Sequence, residues 1–152
     1  MQDVIRMRGC LEIVLGDSNG KVLDRQVINN TIVIAGRRWV LQQIASSEIN
    51  TAESIAYMAV GTGTSAPATG DTALGGESSR IAIQSFNTAN LTSNPPSWQA
   101  QASWATNQAN TTLGEVALFV TDSSGVMLGR ATFTTINKTT SNTFSISYTV
   151  SN

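Results

Sequence analysis

The C-terminal segment constrains the fold most: Phe144, Ile146, Tyr148 and Val150 alternate without a break with Ser145, Ser147 and Thr149. Only an extended strand places every second side chain on one face. The pattern therefore predicts a β-strand with an apolar face towards a core and a hydroxyl-bearing face away from it. The same alternation opens the chain, where Leu11, Ile13 and Leu15 are interleaved with Glu12 and Val14. It breaks at Asp17-Ser18-Asn19-Gly20, an Asx-turn sequence, and residues 21–27 then complete a hairpin. A second turn of the same kind, Asp122-Ser123-Ser124-Gly125, joins residues 116–120 to 126–128 and 131–133. Residues 55–60, 81–88 and 98–106 supply three more candidate strands, giving about eight in all.

One segment has a different period. Ile32, Val33, Gly36, Val40 and Ile44 recur at helical spacing, with Arg37, Arg38 and Gln42 on another face, which predicts a helix near residues 31–46. Asn30 or Thr31 would cap it. The β-branched run Ile32-Val33-Ile34 and the internal Gly36 oppose a helical first turn, so that part is expected to be extended instead. The fold class that follows is mainly β: an antiparallel β-sandwich or jelly-roll-like domain of about eight strands with one α-helix. Residues 1–8 read as an N-terminal arm and residues 9–152 as a single domain, the usual size for one core.

Charge narrows the function. Charged residues make up 12% of the chain, about half of the roughly 25% usual in soluble proteins, and the formal net charge is -1. A nucleic-acid binder needs a basic stripe to displace counterions, and a disordered tail needs high net charge; neither is present. The chain has no His, the commonest general base, and one cysteine, Cys10, read as a small buried hydrophobe. No apolar run approaches the roughly 18 residues of a membrane span, and the start lacks the apolar core of a secretory leader. The charge deficit is also localised. Residues 81–114, 34 in succession, carry no charge, whereas six of the nine Lys and Arg precede residue 39. Such a stretch serves either as a neutral solvent-facing sheet or as a surface buried against neighbouring subunits, where lone charges are costly to desolvate.

Chemical motifs do not survive inspection of their context. Gly61, Gly63 and Ala66 match a G-x-G-x-x-A dinucleotide fingerprint, but Pro67 and Gly70 continue the loop where a helix should begin. Residues 16–21 resemble a phosphate loop with one residue too few between the glycines, and Val22 stands where a magnesium-binding hydroxyl is needed. Asp17 with Asn19, or Asp122, lacks the further carboxylates of a calcium loop. The four N-x-S/T sequons, at Asn29, Asn90, Asn110 and Asn137, are what chance gives in a chain so rich in Asn, Ser and Thr. The carboxylates are scattered, with no nucleophile–base pair. No catalytic residue, cofactor site or metal site is assigned, and a non-enzymatic protein is expected.

Several segments together resemble a set of small tailed-bacteriophage virion structural proteins. The specific part is the A-V-G-T-G-T-x-A-P-x-x-x-D-T-x-L block at residues 59–74, followed by Glu77 and Arg80. Asn30-Thr31-Ile32-Val33 with Ala35-Gly36 precedes it, and Glu115 to Phe119, Leu128-Gly129-Arg130, Phe133 and Lys138 follow. Ala117 stands where such proteins often carry Gly, and Ile34 where a polar residue is common. The resemblance implies a virion component, either a capsid decoration (cement) protein that bridges major capsid protein subunits or a tail, neck or fibre-associated protein. One compact sandwich leaves little room for a fibre shaft, which favours the decoration role, with homotrimers at three-fold positions of the head and neither nucleic acid nor membrane as partner. The expected contacts are Arg6 and Arg8, reaching an acidic capsid patch, Thr62, Thr64 and Pro67 on the 61–71 loop, and Pro95, Trp98 and Trp104 in the uncharged stretch. Glu77 and Arg80, three apart, are expected to form a structural ion pair. A host-glycan module with Trp98 and Trp104 as stacking platforms is the competing expectation.

Overall fold

The computed structural model describes residues 6–45 and 54–152, with the side chain of Ala45 outside the description. Ten strands form two antiparallel five-stranded sheets. The first contains β1 (Arg8–Asp17), β2 (Val22–Asn29), β6 (Ser85–Asn87), β7 (Ser97–Trp104) and β10 (Asn142–Ser151), in the order β2-β1-β10-β7-β6. The second contains β3 (Thr31–Ile32), β4 (Tyr57–Gly61), β5 (Glu77–Ala82), β8 (Thr112–Phe119) and β9 (Met127–Asn137), in the order β3-β9-β8-β4-β5. Among the described residues there is one α-helix, α1 (Ile34–Ala45), between β3 and β4 in the sequence, and one 3-10 turn at Ala89–Thr92. The sandwich inferred from the alternating residues is therefore the observed class.

The inward positions of the first sheet are the apolar ones that alternation selects. Leu11, Ile13, Ala102, Trp104, Phe144, Ile146 and Tyr148 pack with Met58, Val60, Val116, Leu118 and Phe133 of the second sheet. The rings of Trp104 and Phe144 lie 5.9 Å apart and tilted. The β1–β10 register pairs Ile13 with Ile146 and Leu11 with Tyr148, so both strands present their large residues to one side. Cys10 departs from the expectation of burial. With Leu11 and Ile13 inward, period two turns Cys10 out with Glu12, and its thiol is exposed.

The centre of the second sheet, β4, β8 and the first half of β9, is covered on both faces. A smaller cluster of Val33, Ala59, Leu74, Ala117, Phe119 and Met127 lies apart from the main core. Hence Val116 to Val120 is an unbroken apolar run rather than an alternating one. Leu74 reaches this cluster from the long loop between β4 and β5, and Val33 from the entry to α1.

Helix α1 begins at Ile34, later than its sequence pattern, because Thr31 and Ile32 pair with Arg130 and Gly129 of β9. Neither Asn30 nor Thr31 caps it: the Asn30 amide donates to the Tyr148 hydroxyl instead, and the Ile34 N–H is received by Thr69 O at 2.8 Å. Gly36, which sequence propensity disfavours, is needed there. A Cβ at that position would stand 2.3 Å from Leu128 O, so only glycine lets the helix approach the β9 backbone.

The stretch 81–88 is two strands, not one. β5 ends at Ala82 in the second sheet, and the chain crosses at Ile83 and Gln84 to β6 in the first. Ile83 N donates to Ala56 O, and Gln84 N donates to Gln101 O. The Gln84 side chain then extends the ladder beyond β6: its amide donates to Ser103 O at 3.0 Å, and its carbonyl receives Ser103 N at 2.9 Å. Gln26 of β2 does the same to Thr134 of β9, at 2.9 and 3.0 Å, and so ties the two sheets together along one side.

Candidate functional site

The glycine-rich segment 59–76 folds around one buried carboxylate. Glu115, on β8, is fully buried. Its Oε1 receives the N–H groups of Gly63 (2.9 Å) and Gly76 (2.7 Å), and its Oε2 receives that of Gly75 (3.0 Å) and Arg130 Nε (2.9 Å). Arg130, on β9, is itself buried and passes its other end to Asp71 Oδ2 at 2.8 Å. Asp71 Oδ2 in turn receives the N–H of Ala68 at 2.9 Å. A carboxylate, a guanidinium and a second carboxylate thus bind both ends of the 62–76 loop and its middle.

The glycines of the block follow from this. A Cβ on Gly63 would lie 2.5 Å from Glu115 Oε1, so glycine is required for the loop amide to reach the carboxylate. Loop amides that could have cradled a bound phosphate are directed at an anion supplied by the protein itself, which explains the partial likeness to a nucleotide fingerprint.

The ionisation of the cluster is set by competing effects. Burial raises the pKa of Glu115, but the amides of Gly75 and Gly76, Arg130 and the amide of Gly63 outweigh it and hold the group below its ordinary range. Asp71 is lowered chiefly by the Ala68 amide, with Arg130 adding to it. Burial alone would lower Arg130, but its two carboxylate partners raise it. All three groups remain charged across the neutral range.

Two further cations act on turns. Arg80 binds Glu77 bidentately at 2.9 and 2.7 Å, the expected ion pair, although both lie on β5, where a register shift between the two positions interrupts the strand alternation, and its Nη1 donates to Thr121 O and Ser124 O. Its guanidinium lies 3.6 Å from the centroid of the Phe119 ring. Lys138 is buried and donates to Ala105 O and Asn110 Oδ1 at 2.8 and 2.9 Å; burial lowers its pKa.

Around this scaffold lies the surface expected to make contacts. Residues 84–96 are exposed throughout and uncharged, with Phe86 48% and Leu91 52% accessible. Pro95 lies within this segment, and Trp98 is half-buried at its end. Thr62 and Thr64 are exposed on the moulded loop, where Pro67 is half-buried. Arg6 and Arg8 are exposed, lining a groove with Arg37, Leu41 and Ile44 of α1. Trp104 is the exception among the expected contact residues. It is fully buried in the core and its indole N–H donates to Ser79 Oγ at 3.0 Å, so it offers no surface to a partner and no platform to a sugar. Trp98 and Trp104 do share a face of β7, as residues six apart must, but that face is the inward one.

Sequence reasoning did not anticipate the role of Glu115, Arg130 and Asp71, nor the position of Trp39, which with Trp98 and Phe86 lines a cavity beside α1. Among the described residues, no group of three or more acidic or Cys side chains is placed to hold a metal ion. No protein-family model, curated protein or solved structure matches the chain.

Proposed function

We propose that the protein is a non-enzymatic structural component of a tailed-bacteriophage virion, a capsid decoration protein that bridges major capsid protein subunits and stabilises the head. The observation that carries this reading is the exposed, charge-free segment 84–96 with half-accessible Phe86 and Leu91. A surface of this kind avoids the penalty of desolvating charges and offers apolar anchors, as the centres of subunit interfaces do. The internal use of Glu115, Arg130 and Asp71 supports it. These three charges fix the shape of a surface loop, as a part that must fit a neighbour requires. Thr62 and Thr64 on that loop provide a second adhesive patch, and repetition over a symmetric shell turns modest contacts into avidity.

The glycan reading is weaker than the sequence suggested, because one of its two platforms is internal. Labelled electron microscopy of purified particles of the encoding phage tests the proposal. Label on the head, retained after washing in 1 M NaCl, is the expected result. Label confined to the tail or neck would move the role there, and loss of the protein in 1 M NaCl would overturn the uncharged interface, since only exposed ion pairs are screened so strongly.

A further inference from the structure

The tip of the β1–β2 hairpin carries a reactive pair that neither the sandwich core nor the proposed interface uses. The chain has 12 Asn, and Asn19 is the one followed by Gly. The backbone nitrogen after an Asn can reach the side-chain carbonyl carbon, and a Cβ on the following residue obstructs that approach. Five of the other Asn precede Thr, whose branched Cβ crowds the nitrogen, and Asn94 precedes Pro, which has no N–H. Ser18, Asn19 and Gly20 are all exposed. Gly20 has a φ of +84°, and the place where its Cβ would stand has nothing within 4 Å. Asn19 is held through its backbone N–H, which Asp17 Oδ1 receives at 2.8 Å. The Gly20 N–H is held by Asp17 O at 3.1 Å. A turn tip closed by bonds this close to solvent opens locally without unfolding the domain.

We infer that Asn19 is a site of spontaneous covalent modification, in which ring closure with Gly20 releases ammonia and leaves aspartate or isoaspartate at this position. In the opened tip the Gly20 nitrogen gives up its proton to hydroxide and attacks Asn19 Cγ. The N–Cγ bond forms, the Cγ–Nδ2 bond breaks, and Nδ2 takes a proton from water and leaves as ammonia. Water then opens the cyclic imide. Cleavage between the nitrogen and Cγ gives aspartate in an unaltered backbone. Cleavage between the nitrogen and the main-chain carbonyl gives isoaspartate, with the backbone routed through the side chain and longer by one carbon. Either product places a new negative charge near Asp17, in a chain whose formal net charge is -1. The longer backbone also changes the spacing of the two N–H groups, of Asn19 and Lys21, that Asp17 Oδ1 receives. This chemistry needs no partner and is the same whatever the protein assembles with.

Peptide mapping of the native full chain, incubated in mildly acidic and mildly alkaline buffer, tests it. Trypsin cuts after Arg8 and Lys21 and releases residues 9–21, in which Asn19 is the sole Asn. This peptide is expected to gain the mass of NH₂ exchanged for OH before any other Asn peptide does, and faster in the alkaline buffer. It should also accept a methyl group from an isoaspartyl methyltransferase. The rate in the native chain is expected to be about threefold to tenfold below that of a synthetic peptide of residues 9–21, the protection given by one neutral hydrogen bond. Gly20→Asn tolerates the left-handed turn and restores a Cβ, so conversion at Asn19 should slow by about tenfold or more. Native chain that stays unmodified at Asn19 while the synthetic peptide converts completely would overturn the assignment. So would earlier conversion of another Asn, or a Gly20→Asn variant that converts at the parental rate.

Discussion

Glu115→Gln changes the size of the side chain hardly at all and removes the centre of the loop cluster. In the native arrangement four donors converge on the carboxylate, two on each oxygen. The glutamine keeps one oxygen, so Gly63 and Gly76 can retain their acceptor, but an NH₂ group then faces Gly75 N and Arg130 Nε. Two donors, the partly buried Gly75 amide and the buried Arg130 Nε, lose their partner at once, and Arg130 is left with Asp71 alone. Removing one member of a buried, hydrogen-bonded ion pair costs roughly 3–5 kcal/mol, a large part of the roughly 5–15 kcal/mol that holds a domain together. At about 2–4 °C per kcal/mol for a chain of this length, the melting temperature should fall by about 6–20 °C.

Urea unfolding followed by circular dichroism measures the loss directly, and hydrogen exchange locates it: protection should fall at Gly63, Gly75 and Gly76. The acid limb gives an independent sign. The folded pKa values of Glu115 and Asp71 lie below their ordinary values of 4.5 and 3.8. Their contribution is therefore complete above about pH 4.5 and is lost as pH falls through the lower folded values. Glu115→Gln should flatten this dependence below pH 4.5. A melting temperature within about 2 °C of the parent, with an unchanged acid limb, would refute the assignment of the cluster as the determinant of loop shape.

Gly36→Ala forces a methyl group to 2.3 Å from Leu128 O, and the resulting shift of α1 should cost roughly 1–3 kcal/mol in urea unfolding, although alanine is the better helix former. The double change Phe86→Asp and Leu91→Asp alters half-exposed positions, so stability should move by less than about 1 kcal/mol, whereas co-sedimentation with purified heads should be lost. Cys10 should react with iodoacetamide in the native state to completion, as mass spectrometry would show; protection until urea is added would contradict its outward position.

Local pattern was enough for the layered architecture. The strict alternation of β10 and β1 and the Asp17 turn, whose Oδ1 receives the N–H groups of Asn19 and Lys21, are dictated by residues near one another in sequence. The same rule applied consistently would have turned Cys10 outward, since its neighbours Leu11 and Ile13 are core residues; its small apolar character outweighed its place in the alternation. β6 was not separated from β5 within the stretch 81–88, and β3 was expected only as an extended start to the helix, because strands of two and three residues carry no period of their own. The cluster around Glu115 was illegible for a different reason. Its members are separated by 15 residues between Glu115 and Arg130 and by 59 between Asp71 and Arg130, and only the pairing of β8 with β9 brings the first two together. The glycines of the 61–76 loop were read only against a nucleotide fingerprint, and their spacing carries no sign of a carboxylate arriving from a distant strand.

The glutamines that continue the ladders at Ser103 and Thr134 have a consequence for how copies of this chain meet. A bare strand edge accepts another strand, which presents a new bare edge, and growth by that route has no natural end. A side-chain amide in that place satisfies the backbone and offers nothing to the next molecule. On the virion reading proposed above, association at these two positions is left to side-chain surfaces, where contacts form and dissolve individually and a misplaced copy can leave. A shell built from many copies depends on that reversibility, because errors must be corrected before the lattice closes.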